Sequence, residues 1–143
     1  MTTLAATALV LLFAGYDTTG ITLGYAAYLL AIHPDAQDKL AEEVDAAFDQ
    51  NGGGPPGYAA IQDMEYLDMV VHETLRLYSP GQFLIRVCTE DYTVPGYPGL
   101  TIKADDEIHI NVSGTHMDPR HYPNPERFIP ERFSKTEKAK RDP

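Results

Sequence analysis

The sequence predicts a mainly α fold with a small antiparallel β region. Three observations predict it: a long apolar run near the N-terminus, two later segments with helical apolar spacing, and two short alternating segments ahead of a proline-rich end. Leu4 to Ile32 reads as one helix, apolar on nearly all sides, and such a helix is expected to be buried rather than to lie on a surface. Pro34 marks a restart, since proline suits the first helical position. In PDAQDKLAEEVDAAF, Leu40, Val44 and Phe48 recur every four residues with charges between them, which predicts an amphipathic surface helix. NGGGPPG, residues 51–57, forms a loop. Asp63 is placed to cap the next helix, which runs to about Tyr78 and stops before Pro80.

From Phe83 the period changes. Phe83, Ile85 and Val87 alternate with Leu84, Arg86 and Cys88, and Ile108, Ile110 and Val112 alternate with Glu107, His109 and Asn111. Both are strand patterns, and PGYPG between them is a turn. After Asp118 the chain carries Pro119, Pro123, Pro125 and Pro130, so an irregular winding coil with no closing helix is expected. With 143 residues, no internal repeat and no long linker, the chain reads as one domain.

Composition removes several function classes. The net charge is −10 with 11 Lys plus Arg, so the basic face that nucleic-acid binding requires is missing. Lys135, Lys138, Lys140 and Arg141 form the one basic cluster, which reads as a solvated tail. A single cysteine, Cys88, rules out a disulfide framework or a multi-cysteine zinc site within the chain. The run LAATALVLLFA has no basic residue ahead of it, so it lacks the form of a signal peptide, and no targeting signal is read in this chain. A membrane span needs about 20 apolar residues. Asp17, Thr18 and Thr19 interrupt the run, although Gly20 and Gly24 make a Gly-x-x-x-Gly pair of the kind found at membrane-helix contacts.

Two segments carry candidate chemistry. In AGYDTTG, residues 14–20, Gly15 admits a flat ligand or another backbone close to the helix. Thr18 and Thr19 are able to bond back to carbonyls one turn earlier and open the helix, and Asp17 sets a carboxylate beside them. An acid and a hydroxyl in such an opening suit inward proton transfer. A plain helix kink with a satisfied aspartate is the competing reading. In HETLR, Glu73 and Arg76 are three apart on one helix face. Met64, Leu67, Val71, Thr74, Leu75 and Tyr78 make the main apolar stripe, while Tyr66, Met69 and Leu77 surround Glu73 on the other side. Cover on both faces implies a partly buried pair, which requires further hydrogen bonds to offset desolvation. A third partner is expected, an arginine of the late coil.

These residues resemble a known family. AGYDTT matches the oxygen-activation motif of the cytochrome P450 central helix, HETLRLYSP its Glu-x-x-Arg helix, and HMDPRHYPNPERFIPERF its segment from His-x-Asp-Pro to Pro-Glu-Arg-Phe. One such motif is a weak signal; three in the family's order and at about its spacing, over almost the whole chain, are specific. YLDMVVHETLR and ERFSKTEKAKRDP look like the microsomal group of steroid- and xenobiotic-oxidising enzymes and thromboxane synthase. The resemblance implies a partial cytochrome P450 fold, with residues 1–143 a single partial catalytic domain reaching from the central helix to the coil before the haem-cysteine loop.

The resemblance also implies roles. Asp17 and Thr18 would deliver protons to dioxygen, and Ala14 and Gly15 would line the distal face of the haem. Glu73, Arg76 and Arg132 would form the family's structural triad, with Arg127 the rival to Arg132. Arg86 would pair with a haem propionate, as a forked cation suits a carboxylate. Phe13, Gln82, Phe83 and Leu84 fall where the family contacts substrate; for Phe83 and Leu84, strand packing is the simpler alternative. No residue of this chain is assigned to metal. The chain departs from the family at Lys103-Ala104-Asp105, where a Pro-Lys-Gly turn is usual, at Tyr122, where Trp is frequent, and at Ser79, where proline is common.

The family's axial cysteine lies in a glycine-rich loop some two dozen residues past Pro-Glu-Arg-Phe, after Pro143. Cys88, in a strand-like VCT context, reads as a small buried hydrophobe. His116 and His121 with Asp118 lack the third imidazole of a usual metal site. The parent is expected to hold haem b, to take electrons from an NADPH-dependent flavoprotein reductase, and to insert one oxygen atom of O2 into a small hydrophobic substrate. A thromboxane-synthase-like parent would isomerise a peroxide instead. An N-terminal anchor outside this chain would hold the parent on the cytoplasmic face of the endoplasmic reticulum membrane. The isolated chain is expected to be inactive and to bind no haem stably. A truncated non-catalytic interaction module and a short membrane protein using residues 4–32 are the alternatives.

Overall fold

A computed structural model describes residues 3–140; Arg141, the last residue of the basic tail, lies outside them. In chain order the elements are α1 (Thr3–Ile32), α2 (Pro34–Gln50), α3 (Tyr58–Gln62), α4 (Glu65–Leu77), β1 (Phe83–Val87), β2 (Tyr92–Thr93), β3 (Thr101–Ile102), β4 (Glu107–Asn111), α5 (Val112–His116), a 3-10 turn (Pro130–Phe133) and α6 (Lys135–Lys138). The mainly α fold with a small antiparallel β region is thus present. The chain divides into two compact units. The first holds everything up to Pro80 and again from Glu126 onward; the second spans Gly81–Pro125.

In the first unit, Pro34 opens α2 at its first turn, and the His33 ring bonds the Leu29 carbonyl at 2.8 Å across the junction. Gly52 and Gly53, at φ +66° and +83°, turn the chain out of α2 in a conformation that side-chain-bearing residues rarely hold. The core is Leu29, Ala36, Val70 and Phe128, with Leu30, Tyr66 and Leu77 packed against it. It therefore joins α1, α2 and α4 to the returning C-terminal coil.

Several expectations are corrected here. α1 is unbroken, with no local opening at Thr18 and Thr19, and Leu29 is its one buried residue among those described. The expected burial of this helix is not met. A helix apolar all round needs cover on every side, and α1, about 45 Å long, meets α2 and α4 only near its end. Asp63 does not cap α4: it ends α3, and Met64 stands at the cap position without a side-chain bond. α4 is covered on both of its expected sides: Met64 and Thr74 of the main stripe are buried, and Tyr66, Met69 and Leu77 opposite are half-buried. Val70, Glu73, Thr74 and Arg76 are buried, whereas Leu67, Val71 and Leu75 are half-buried and Tyr78 is exposed. Phe128 of the coil packs with Val70 in the core. The coil also ends in a short helix, α6, capped by the Ser134 hydroxyl. Its lysines are docked rather than free: Lys135 pairs with Glu65, and Lys138 reaches Asp68 at 3.1 Å.

In the second unit, β1 and β4 pair antiparallel in the register Phe83↔Asn111 to Val87↔Glu107. β2 and β3 pair inside that hairpin, and the PGYPG turn joins them. Val112 leaves the strand it was expected to extend and starts α5 instead, because the Asn111 side chain accepts from the Gly114 amide at 2.8 Å. The departure at Lys103-Ala104-Asp105 is a turn held by Asp91, which binds Ala104 N at 3.0 Å and Lys103 Nζ at 2.8 Å. Asp105 occupies the left-handed position at φ +70°, which aspartate tolerates better than most residues.

Candidate functional site

The best-built polar site lies on the inner face of α4. Glu73 is fully buried, and Arg76 is one helical turn on and 3% exposed. Arg76 Nε donates to Glu73 Oε2 at 2.7 Å and Nη2 to Oε1 at 2.8 Å, a two-pronged pairing that fixes both side chains. A buried ion pair loses its water, so the remaining lone pairs and protons need partners. The C-terminal coil supplies them. The Ile129 amide donates to Glu73 Oε1 at 2.9 Å, the Arg127 carbonyl accepts from Arg76 Nη2 at 3.1 Å, and Arg132 Nε stands 3.4 Å from Glu73 Oε1. The two candidate arginines of the coil thus play different parts: Arg132 brings its guanidinium to Glu73, and Arg127 brings a backbone oxygen to Arg76. Buried Thr74 spends its hydroxyl on the Val70 carbonyl at 2.8 Å.

The residues of the first motif lie together on α1. Phe13 and Asp17, and likewise Ala14 and Thr18, are four apart and share one half of the helix surface. Thr18 Oγ1 donates to the Ala14 carbonyl at 2.5 Å, and Thr22 repeats the bond to the Thr18 carbonyl at 2.8 Å. All five residues from Phe13 to Asp17, and Thr18 with them, are exposed. A Cβ added to Gly15 would meet nothing within 4 Å.

Gln82, Phe83, Leu84 and Arg86 belong to the second unit. The Gln82 carbonyl accepts from Val112 N at 3.0 Å and so ties the start of α5 to β1. Phe83, Leu84 and Arg86 are exposed along β1, so strand packing does not occupy the two apolar side chains. Arg86 Nη1 donates to the carbonyl of its neighbour Ile85 at 2.9 Å, and no carboxylate pairs with it among the described residues. Cys88 Sγ is turned to the Glu90 carbonyl at 2.9 Å. Asp118 is taken by Arg120, whose guanidinium and amide hold its carboxyl down to about 2, and the His116 ring meets Tyr122 edge-on at 6.3 Å.

Within the second unit, the forked guanidinium of Arg86 has no partner acid among the described residues and suits a carboxylate such as a ring propionate. The space beside Gly15 on α1 is open, as it is at Gly20 and Gly24, and singles out no ligand. Cys88 does not fit as the axial ligand, since its sulfur is engaged in its own turn.

Sequence reasoning missed Glu43. Its carboxylate accepts from Tyr66 N at 2.8 Å and Leu67 N at 2.9 Å, and so caps α4 from a different helix. A signal was present. Ala36, Leu40, Glu43, Val44 and Ala47 fall on one face of α2, and each is at least partly buried, so Glu43 is an acid set in an apolar stripe.

Comparison with known proteins gives a consistent answer. The family model described as Cytochrome P450 matches residues 1–143. The chain is 46% identical over 138 residues to cytochrome P450 3A31 of Mesocricetus auratus, covering 96% of this chain and 26% of that protein. It is 47% identical over 138 residues to cytochrome P450 3A2 of Rattus norvegicus, with the same coverage. It is 45% identical over 131 residues to cytochrome P450 9e2 of Blattella germanica, covering 92% of this chain and 24% of the relative. The chain therefore spans about a quarter of the length of the curated relatives it matches. Three motifs in register, the buried glutamate–arginine network and a match along the full sequence agree: the chain belongs to the cytochrome P450 family.

Proposed function

We propose that this chain is part of the catalytic domain of a microsomal haem-thiolate monooxygenase, both compact units belonging to that one domain. The observation that carries the reading is the fully buried Glu73–Arg76 pair completed by Ile129 and Arg132, because a site so well satisfied organises the chain around the motif the family shares. When bound, the haem would supply oxygen activation, the chemistry by which one oxygen atom of O2 would pass to a small hydrophobic substrate. The chain's own residues bind and move protons. Thr18 holds its hydroxyl proton on the Ala14 carbonyl, and exposed Asp17 is its chain neighbour. A hydroxyl resupplied by a neighbouring carboxylate is suited to deliver protons one at a time. Gly15 gives the ring room, Arg86 receives a propionate, and Phe13, Gln82, Phe83 and Leu84 face the substrate. Glu73, Arg76 and Arg132 hold the frame. An NADPH-dependent flavoprotein reductase provides electrons, and the parent is anchored at the endoplasmic reticulum membrane.

The test uses the full-length protein with a reductase in membranes. The reduced carbon-monoxide spectrum is expected to show the thiolate form. Thr18→Ala is expected to cut product formed per NADPH by roughly a hundredfold, the usual scale of general acid–base assistance, and Thr18→Ser to restore most of it. Equal product yield from Thr18→Ala sinks the proton role. Gene sequence past residue 143 without a cysteine-bearing loop sinks the haem-thiolate reading.

The exposure of α1 favours a second reading. That helix is long and apolar enough to cross a membrane by length and composition. Retention of the 143-residue chain in membranes after alkaline extraction supports it, and release removes it.

A further inference from the structure

α4 starts without a cap of its own. Met64 stands at the cap position and makes no side-chain bond there, which leaves the first amides of the helix in need of acceptors. One carboxylate from another helix takes two of them: Glu43 Oε1 accepts from Tyr66 N at 2.8 Å and Oε2 from Leu67 N at 2.9 Å. A carboxylate is favoured there by the partial positive charge of the helix start. One turn earlier on α2, Lys39 Nζ reaches Glu131 Oε1 at 2.5 Å, and the Tyr66 hydroxyl donates to the same oxygen at 3.4 Å. Glu131 is the residue before Arg132. Two side chains one turn apart on α2 therefore grip the start of α4 and the turn that carries Arg132, the two elements whose meeting builds the buried network.

We propose that Glu43 is a positioning residue for that network: capping α4 from α2, it sets where Glu73 meets the Ile129 amide and Arg132, with Lys39 holding the other side. Leu67 and Glu73 lie six residues apart on a continuous helix, about 9 Å. A shift or fraying at the start of α4 is carried along that rod to the carboxylate. The inference rests on the proposed function in one respect, that the network shapes a cofactor pocket; the grip itself stands on geometry within the first unit.

The test uses the haem-loaded full-length protein and two readouts, amide hydrogen exchange resolved by residue and the reduced carbon-monoxide spectrum. Glu43→Ala is expected to speed exchange at Tyr66, Leu67 and Ile129 by roughly fivefold, the scale of a lost helix cap, and to lower the thiolate fraction of the spectrum. Glu43→Gln keeps an acceptor oxygen and is expected to recover part of both. Glu42→Ala, at an exposed neighbouring position, is expected to match wild type. If Ile129 exchanges at the wild-type rate while Tyr66 and Leu67 speed up, Glu43 is a local cap only and the proposal falls; it falls equally if none of the three amides changes. Should Glu43→Ala fail to fold, the Ile129 amide of Glu43→Gln carries the same decision. A wild-type protein without a thiolate spectrum overturns the proposed function, while the exchange pattern still decides the role of Glu43.

Discussion

α1 and α4 each carry a motif of the same family, yet they meet opposite fates in this chain. α4 presents a charged face and buries it; α1 presents an apolar face and leaves it exposed. The difference lies in partners. Among the described residues, the buried side chains of α4 find polar partners within the first unit: Arg76 and the Ile129 amide bond Glu73, and Arg132 adds an ion pair, while Glu43 takes the amides at the helix start. α1 has only its last two turns against α2 and α4, around Leu29. Charge does not by itself decide which helix goes inside: satisfaction decides, and apolar surface without a complementary surface stays outside.

The largest expected effect breaks the satisfied side. Glu73→Ala leaves two arginines buried without their acid and is expected to destabilise by about 3–5 kcal/mol, read as a shift in the urea midpoint or as loss of soluble protein. Val70→Ala, at the apolar centre of the same face, is expected to cost about 2 kcal/mol through the cavity it leaves. A cost for Val70→Ala equal to that of Glu73→Ala would mean that the network adds nothing beyond packing.

A smaller effect follows from pH. The hydrogen bond to Glu131 and its charge raise Lys39 above its ordinary 10.5. Partial burial pushes Glu131 up, but Lys39 outweighs this and holds it below 4.5. The raised group contributes stability that is present below 10.5 and lost as pH rises through its folded value. The lowered group contributes stability that is present above 4.5 and lost as pH falls through its folded value. The grip of α2 on the Arg132 turn is therefore full at mid pH and weakens at both ends. Denaturant midpoints across pH are expected to show this in the wild type and to flatten in Lys39→Met. The smallest effect belongs to the exposed side. Leu12→Ser on α1 is expected to change stability by less than about 0.5 kcal/mol, and a larger loss would show that α1 finds cover in solution.

Much of this was legible from the residues. The fold class, the apolar helix, the Glu73–Arg76 pair and its need for help from the late coil all follow from spacing and desolvation. What escaped the sequence was which apolar residue of α4 lies deepest. Val70, which the expected pattern left out, is the most buried apolar residue of α4; Phe128 from the coil packs with it, and nothing near α4 in sequence announces that contact. The start of α4 was misread for a similar reason. Asp63 has the composition of a cap, but α3 claims it as its end, and the true acceptor, Glu43, lies 23 residues before the Tyr66 amide it takes. Exposure of α1 was illegible because periodicity reports how apolar a helix is, not whether a partner exists. Within the candidate site, the sequence groups Asp17 with Thr18 and Glu73 with Arg76, since each pair is local. It separates Arg127 from Arg132 only by resemblance, where the structure separates them by which atom each contributes.

The Ile129 amide and Glu73 are 56 residues apart, and the whole of Gly81–Pro125 lies between them in the chain. Closing a loop of that size costs roughly 3–4 kcal/mol in chain entropy, so the contact forms late. During synthesis α4 emerges long before the coil that completes it, and its glutamate and arginine stay wetted until residue 132 has left the ribosome. A truncation placed between α5 and Phe128 would therefore leave a hydrated helix where the 143-residue chain holds a buried, hydrogen-bonded ion pair.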